Sequence, residues 1–96
     1  MRIAIVVGMA VATVKDQRLE GGMCLLVAAA DPAGQAQGNP FVALDMVGAG
    51  EGELVMIVEG SSARIASGDA SRPVDAVIVA ILDSLRYDGQ MTYQKS

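Results

Sequence analysis

The chain has 96 residues, a formal net charge of −4, a single cysteine and no histidine. This length predicts one domain with one modest core. The acidic balance argues against a nucleic-acid partner, because binding to a phosphate backbone depends on clustered lysine and arginine. Without histidine, the commonest metal ligand and general base is missing, so we expect no metal, no cofactor and no catalytic residue. One cysteine excludes an internal disulfide and favours the cytoplasm.

The first element is an apolar run behind Arg2. It superficially resembles a secretory signal, but its β-branched residues favour a strand. The run is also too short to cross a bilayer, so we expect no membrane partner. Similar runs rich in Val and Ile recur along the chain and end at residues typical of turns. Together they predict five strands, at residues 3–14, 23–30, 41–47, 54–58 and 77–82.

The segments between these runs predict loops. Glycine, proline and aspartate interrupt regular structure at residues 15–22, 31–40 and 68–73. A short helical turn is expected at Ser62–Ala66, with Ser61 or Ser62 as its N-cap. Five short strands separated by turns predict an all-β fold, a small closed or partly closed barrel.

The strands are apolar on both faces, which is unusual for a monomer. Between Glu53 and Glu59 lie five consecutive apolar residues. A strand with one face in solvent would instead alternate apolar and polar residues. A barrel interior takes only one of the two faces, and the sequence shows no layer of helices to cover the other. We therefore expect another copy of the same chain to cover it.

A glycine string at residues 48–52 raises the question of a phosphate loop. Its spacing is G-x-G-x-G, a strand follows it instead of a helix, and Glu51 and Glu53 would repel a phosphate. Glycine also permits positive φ and close backbone approach, as a tight connection or a packed symmetry axis requires. We favour this second interpretation.

Arg64 is the one basic residue beside this string. Its guanidinium could pair with Asp45 or Glu53, or it could simply end an exposed helical turn. An enzyme with these three residues in a cleft between subunits is the alternative that the charges leave open, although buried aspartates more often pair than catalyse. Cys24, inside an apolar strand, is expected to act as a small hydrophobe.

Three blocks of the chain resemble the EutN/CcmL family of bacterial microcompartment vertex proteins: "MRIAIVVGMAVATVK", "FVALDMVGAGEGELVMIVEGSSAR" and "PVDAVIVAILD". The resemblance covers residues 1–83 and leaves 84–96 as a tail of open role. It implies a five-stranded, OB-like barrel that forms a cyclic homopentamer and closes the vertices of an icosahedral shell. It also implies hexameric or pseudohexameric shell proteins as partners, no catalysis, and either a carbon-fixing or a catabolic compartment.

Within such a ring, we expect the glycine string and the following Gly-Ser-Ser turn to lie at subunit contacts or at the axial opening, since glycine lets backbones converge. The residues concerned are Gly48, Ala49, Gly50, Glu51, Gly52, Ser61, Ser62 and Arg64. The alternative function is an OB-like oligomeric module that binds a small ligand or nucleic acid.

Overall fold

The computed structural model describes residues 1–13, 15–19 and 22–95. Val14 of the predicted strand 3–14 lies outside these residues, as do Glu20 and Gly21 of the predicted loop 15–22 and Ser96 of the tail. The first strand ends at Ala10, so its predicted extension through residues 11–13 is wrong. Within the described part, a 3₁₀ turn covers Gln17–Leu19. The other elements are β1 (Arg2–Ala10), β2 (Met23–Ala30), β3 (Ala36–Asp45), β4 (Leu54–Glu59), α1 (Ser61–Ala66), β5 (Ala76–Ile81), β6 (Ser84–Tyr87) and β7 (Gln90–Gln94).

Five strands close into a barrel in the order β1, β2, β3, β5, β4. Neighbouring strands run antiparallel except β3 and β5, whose parallel contact is limited to Leu44 beside Val77 and Asp45 beside Ile78. The strands are strongly staggered. Following paired residues around the barrel from Ala10 of β1, through β2, β3, β5 and β4, leads back to β1 near Arg2, at the other end of the strand. Such a stagger tilts the strands about the barrel axis. The predicted all-β, five-stranded barrel is confirmed.

The barrel interior is filled by alternate residues of its strands. Val6, Val27, Val55 and Ile57 are at most 1% exposed, and they form one cluster with smaller residues and with Ile78 of β5. Because side chains alternate across a strand, the same strands must turn their remaining apolar residues outward. The barrel therefore has the second apolar surface that the sequence predicted.

Helix α1 covers part of this outer surface. Ala63 of the helix is fully buried against Leu44 of β3 and Val77 of β5, and Val58 packs onto the same cluster. At this place the second face is covered by the chain's own helix and not, as expected, by another copy of the chain. A helix of six residues was too short to be recognised in the sequence as a covering layer. It is nevertheless long enough to cover the place where β3, β5 and β4 lie side by side.

Strand β3 begins at Ala36, well before the predicted start at residue 41. The predicted loop 31–40 was based on its glycines and prolines, yet Gly38, with a φ of 78°, and Pro40 lie inside the strand. A register shift between Val27 and Ala29 of β2 accommodates them. Proline is tolerated in edge strands and at bulges, because there its missing N–H is not needed.

The N-cap of α1 also differs from the prediction. The helix begins at Ser61, and its cap position is Gly60, with a φ of 67° and no side-chain cap hydrogen bond. A positive φ favours glycine over serine. Ser61 and Ser62 consequently lie within the first turn, and their prediction as caps is wrong.

The tail contains a β hairpin that the sequence analysis did not predict. β6 and β7 pair antiparallel, and the turn between them is Asp88-Gly89, with φ values of 54° and 76°. Two positive φ angles at an Asp-Gly pair are typical of a type I′ hairpin turn. The Asp-Gly pair between the tyrosine and the following polar strand was the signal that could have revealed it.

Candidate functional site

Two carboxylates shape the glycine loop, residues 46–53. Asp45, at the end of β3, accepts hydrogen bonds from the backbone N–H groups of Val47, Gly48 and Ala49, at 3.0, 3.1 and 3.0 Å. Glu53, just before β4, accepts the next N–H, that of Gly50, at 2.7 Å. Four consecutive amides are thus turned toward the loop's own side chains.

This arrangement explains why the glycine loop does not suit a phosphate. A phosphate loop needs free backbone N–H donors that converge on the anion. Here the donors from Val47 to Gly50 are already used, and the groups that occupy them carry negative charge. The loop is therefore a prearranged connection between β3 and β4.

The three glycines of the string do not have the same role. Gly48 and Gly52 have φ values of 78° and 88°, which L side chains rarely adopt, so the loop conformation itself requires glycine there. Gly50 has no positive φ, and a Cβ at this position would approach only Glu53 Oε1, at 3.5 Å. The conformation of one subunit therefore accounts for Gly48 and Gly52 but not for Gly50.

The three residues considered for an ion pair are not brought together within one subunit. Both oxygens of Asp45 bind loop amides, and Glu53 Oε2 lies 2.6 Å from Lys95 Nζ. Arg64, half-buried on α1, makes no ion pair with any described residue. The strand β4 separates Glu53 from α1, and six extended residues span about 20 Å. The pairing of Arg64 with Asp45 or Glu53 is therefore absent within the subunit.

The ion pair with Lys95 changes the pKa of Glu53. The Lys95 ammonium group lowers the pKa of Glu53 below the usual glutamate value, and the N–H of Gly50 adds to this effect. The same contact raises the pKa of Lys95. Glu53 thus links the glycine loop to the last described residue of the tail.

The predicted interface residues form two patches. The residues from Gly48 to Gly52 lie before β4, whereas Ser61, Ser62 and Arg64 lie on α1, after it. Ser61 and Ser62 are exposed, as is most of the glycine loop. The six residues of β4 separate the two patches along the chain.

A groove on the barrel surface was not indicated by the sequence pattern. We call it the apolar groove: an open cavity of about 340 Å³ beside the end of β1 and the start of β2. Among the described residues that line it, one side chain is charged. Its main lining residues are Met9, Val11, Lys15, Met23, Cys24 and Val42. The sequence located outward apolar faces, but the stagger of the barrel decided which residues share one concave surface.

The structure offers little for catalysis or metal binding. In residues 1–13, 15–19 and 22–95, no group of three or more Asp, Glu, Cys or His side chains is placed to hold a metal ion. Cys24 is a free, half-buried thiol at the edge of the apolar groove. Among the described residues, no helix has the length and apolar character needed to span a bilayer.

A small barrel with a rigid glycine loop and an exposed apolar surface belongs to the class of structural assembly proteins. The family model described as "Ethanolamine utilisation protein EutN/carboxysome" matches residues 1–83. The chain is 40% identical to the bacterial microcompartment shell vertex protein EutN of Escherichia coli K12, over 99% of this chain and all of the relative. It is 45% identical to the carboxysome shell vertex protein CcmL of Synechococcus elongatus, over 99% of this chain and 96% of the relative.

A solved structure with the same fold is the GrpN pentameric microcompartment shell protein of Rhodospirillum rubrum. It superposes with a TM-score of 0.82 at 36% identity, covering 91% of this chain and 99% of that one. The chain therefore belongs to the EutN/CcmL family, as its three sequence blocks indicated. The relatives are named as components of microcompartment shells and not as enzymes, which agrees with the expected location and the non-catalytic role.

Replacing Asp45 by alanine should loosen the glycine loop. Removing a charged acceptor that holds three N–H groups is expected to lower the free energy of unfolding by about 1–3 kcal/mol. Amide exchange at Val47, Gly48 and Ala49 should accelerate. Hydrogen exchange followed by NMR measures both effects.

Asp31→Ala is the matched control, because Asp31 accepts backbone N–H groups of Ala33 and Gln35 in another turn. It should leave exchange in the glycine loop unchanged. Unaltered protection of residues 47–49 in Asp45→Ala would contradict the assignment of Asp45 as the organiser of the loop.

Acid should release Lys95 from Glu53. Because the pKa of Glu53 is lowered in the folded chain, the stabilisation from this contact is complete above the ordinary glutamate pKa. It is lost as the pH falls through the lower folded value, from about pH 4 downward. The chemical shifts of the Gly50 and Lys95 amides should report the change, and Glu53→Gln should abolish their titration in this range. A titration that persists in Glu53→Gln would contradict this origin.

Proposed function

We propose that five copies of this chain form a ring that closes a vertex of a bacterial microcompartment shell. The observation that carries this proposal is an exposed apolar surface. It remains after strand residues have filled the barrel interior and α1 has covered part of the outer face. It supports the pentameric role together with membership of a family whose relatives are named as shell vertex proteins. The large apolar side chains left exposed are Met1, Val7, Met9, Val11, Met23, Val42, Met46, Val47, Ile65, Tyr87 and Met91.

The partners of the ring would be hexameric or pseudohexameric shell proteins that tile the facets. The net charge of −4 and the scattered basic residues disfavour nucleic acid as a partner. The apolar groove has the size of a small-ligand pocket, yet Lys15 is the one charged side chain among the lining residues that the structure describes. Its chemistry is that of a surface that packs against protein.

The glycine loop is a candidate contact of this ring. Since the conformation of one subunit does not require glycine at position 50, a close approach by a neighbouring subunit is the reason we propose for it. We place Gly48, Ala49, Gly50, Glu51 and Gly52 at one subunit contact or at the axial opening. Ser61, Ser62 and Arg64, beyond β4, would belong to a second such surface.

We further propose that residues 1–83 are the shell domain and that 84–96 are an appended segment. Both core clusters are formed by residues between Ala4 and Ile81, so β6 and β7 contribute nothing to them. The family model ends at the same boundary.

Native mass spectrometry of the chain at micromolar concentration tests the ring. The expected result is a species of five chains that survives moderate salt, because apolar contacts are not screened by ions. Adding a hexameric shell protein should then yield closed particles in electron micrographs. A stable monomer would contradict the proposal.

Gly50→Leu tests the position of the glycine loop. The subunit has room for a side chain here, so we expect unchanged thermal unfolding of the monomer but loss of the five-chain species. Ala70→Leu, in another exposed turn, is the control and should assemble normally. A Gly50→Leu protein that forms rings and closed particles would place the loop away from the subunit contacts.

A further inference from the structure

We infer that the tail is an intramolecular effector of the glycine loop, with the Glu53 side chain as the connection between them. While the tail is seated on its own barrel, Glu53 fixes the loop; when the tail lifts off, the loop loosens and the ring weakens. The inference rests on the proposed pentamer, because that proposal places the glycine loop at a contact of the ring. It gives the tail a regulatory role.

Glu53 divides its carboxylate between the loop and the tail. Its Oε1 accepts the N–H of Gly50 at 2.7 Å, and its Oε2 lies 2.6 Å from Lys95 Nζ. Both oxygens belong to one planar group, so a single rotamer of Glu53 satisfies the two contacts together. A change of rotamer that breaks one contact also breaks the other. The two contacts therefore depend on each other.

The backbone of Glu53 is held independently of the tail. The Glu53 carbonyl accepts the N–H of Val6 at 3.0 Å, and the N–H of Gly52 donates to the Val6 carbonyl at 2.8 Å. Val6 is a core residue of β1. A tail that lifts off therefore releases the carboxylate of Glu53, while the start of β4 stays attached to the barrel.

The link from the tail to Glu53 is short and closed on itself. The carbonyl of Leu54, next to Glu53, accepts the N–H of Leu82 at 2.8 Å. The carbonyl of Asp83 then accepts the N–H of Lys95, also at 2.8 Å. The ion pair between Lys95 and Glu53 completes the circuit. Lys95 is thus held through both its backbone and its side chain, so its position reports directly on the seating of the tail.

Tyr93 provides a second seat for the tail. Its half-buried ring packs on the turn before β3 so closely that a Cβ at Gly34 would lie 3.0 Å from it. Asp31 fixes this turn by accepting two of its backbone N–H groups. Tyr93 and Lys95 are two residues apart in an extended segment, so they share one face. That face is the one by which the tail is seated on the barrel.

The tail can leave without unfolding the barrel. Strands β6 and β7 form a two-stranded sheet separate from the barrel sheet, and such a hairpin is marginally stable in water without packing. Both core clusters consist of residues from Ala4 to Ile81. Seating of the tail is therefore a local equilibrium, of the kind that opens at lower free energy than the whole domain.

Coupling between two such equilibria is reciprocal. Whatever stabilises the seated tail stabilises the ordered loop by the same factor, and the reverse holds as well. An ion pair that is partly exposed to water corresponds to a factor of about 2 to 5 in an equilibrium constant. This factor sets the size of the expected effects.

The test uses variants of the full chain. Lys95→Met removes the charge that holds Glu53, Lys95→Arg keeps it, and Tyr93→Ala unseats the tail without changing any charge. Lys15→Met, at the apolar groove, removes the same charge elsewhere and is the control. These side chains lie outside both core clusters, so circular dichroism should show folded protein in every case.

Hydrogen exchange, resolved to single amides by mass spectrometry, is first measured on chains diluted until rings have dissociated. Lys95→Met and Tyr93→Ala should each accelerate exchange of the Gly50 amide by about 2- to 5-fold, whereas Lys95→Arg and the control should match the wild type. Conversely, Glu53→Gln should accelerate exchange of the Lys95 amide by a similar factor, because the coupling is reciprocal.

Ring stability is then measured by native mass spectrometry over a dilution series. The concentration at which half of the rings dissociate should rise by at least the same factor in Lys95→Met and in Tyr93→Ala. Each contact of the ring uses one glycine loop, so the loosened loop enters every contact. Lys95→Arg should dissociate at the wild-type concentration.

Unchanged exchange at Gly50 in Lys95→Met or in Tyr93→Ala would overturn the inference, even if the rings became weaker, because the tail would then act elsewhere. Faster exchange with unchanged ring stability would overturn the regulatory role. A wild-type protein that stays monomeric at every concentration would instead overturn the proposed function. The exchange at Gly50 is read on single chains, so the two failures are distinguishable.

Discussion

A five-stranded barrel has one interior, and each strand can offer it only one of its two faces. In this chain that interior takes Val55 and Ile57 of β4 and their counterparts on the other strands. The opposite face is also apolar, and α1 covers the portion around Leu44 and Val77. The remainder is exposed in the isolated subunit, and this remainder is what makes the molecule an assembly component.

The glycine loop has a defined conformation although it is rich in glycine. Asp45 and Glu53 bind four successive N–H groups, which converts a glycine string into a fixed connection between β3 and β4. Glu53 also pairs with Lys95, the residue that follows β7, so the same carboxylate connects the glycine loop to the tail.

Much of the fold was predictable because strand composition and turn residues are local properties. The five apolar runs became the five barrel strands, and the family blocks led to the correct family. The start of β3 was missed because Gly38 and Pro40 are tolerated only through a bulge in the pairing with β2, which is a non-local condition. The β6–β7 hairpin was missed for another reason, since its Asp-Gly turn signal was present in the sequence but not used.

The sequence by itself determined that this chain forms short strands, that their apolar residues exceed the capacity of one small core, and that the glycine string has the wrong spacing and charge for a known phosphate loop. These conclusions follow from residue spacing and charge, which need no partner. Only the tertiary structure decided that Glu53 pairs with Lys95 and not with Arg64, and that Met23 and Val42 share a groove. The physical reason is that the barrel brings together residues that are distant in the chain. The extended strand β4 meanwhile separates Glu53 from α1.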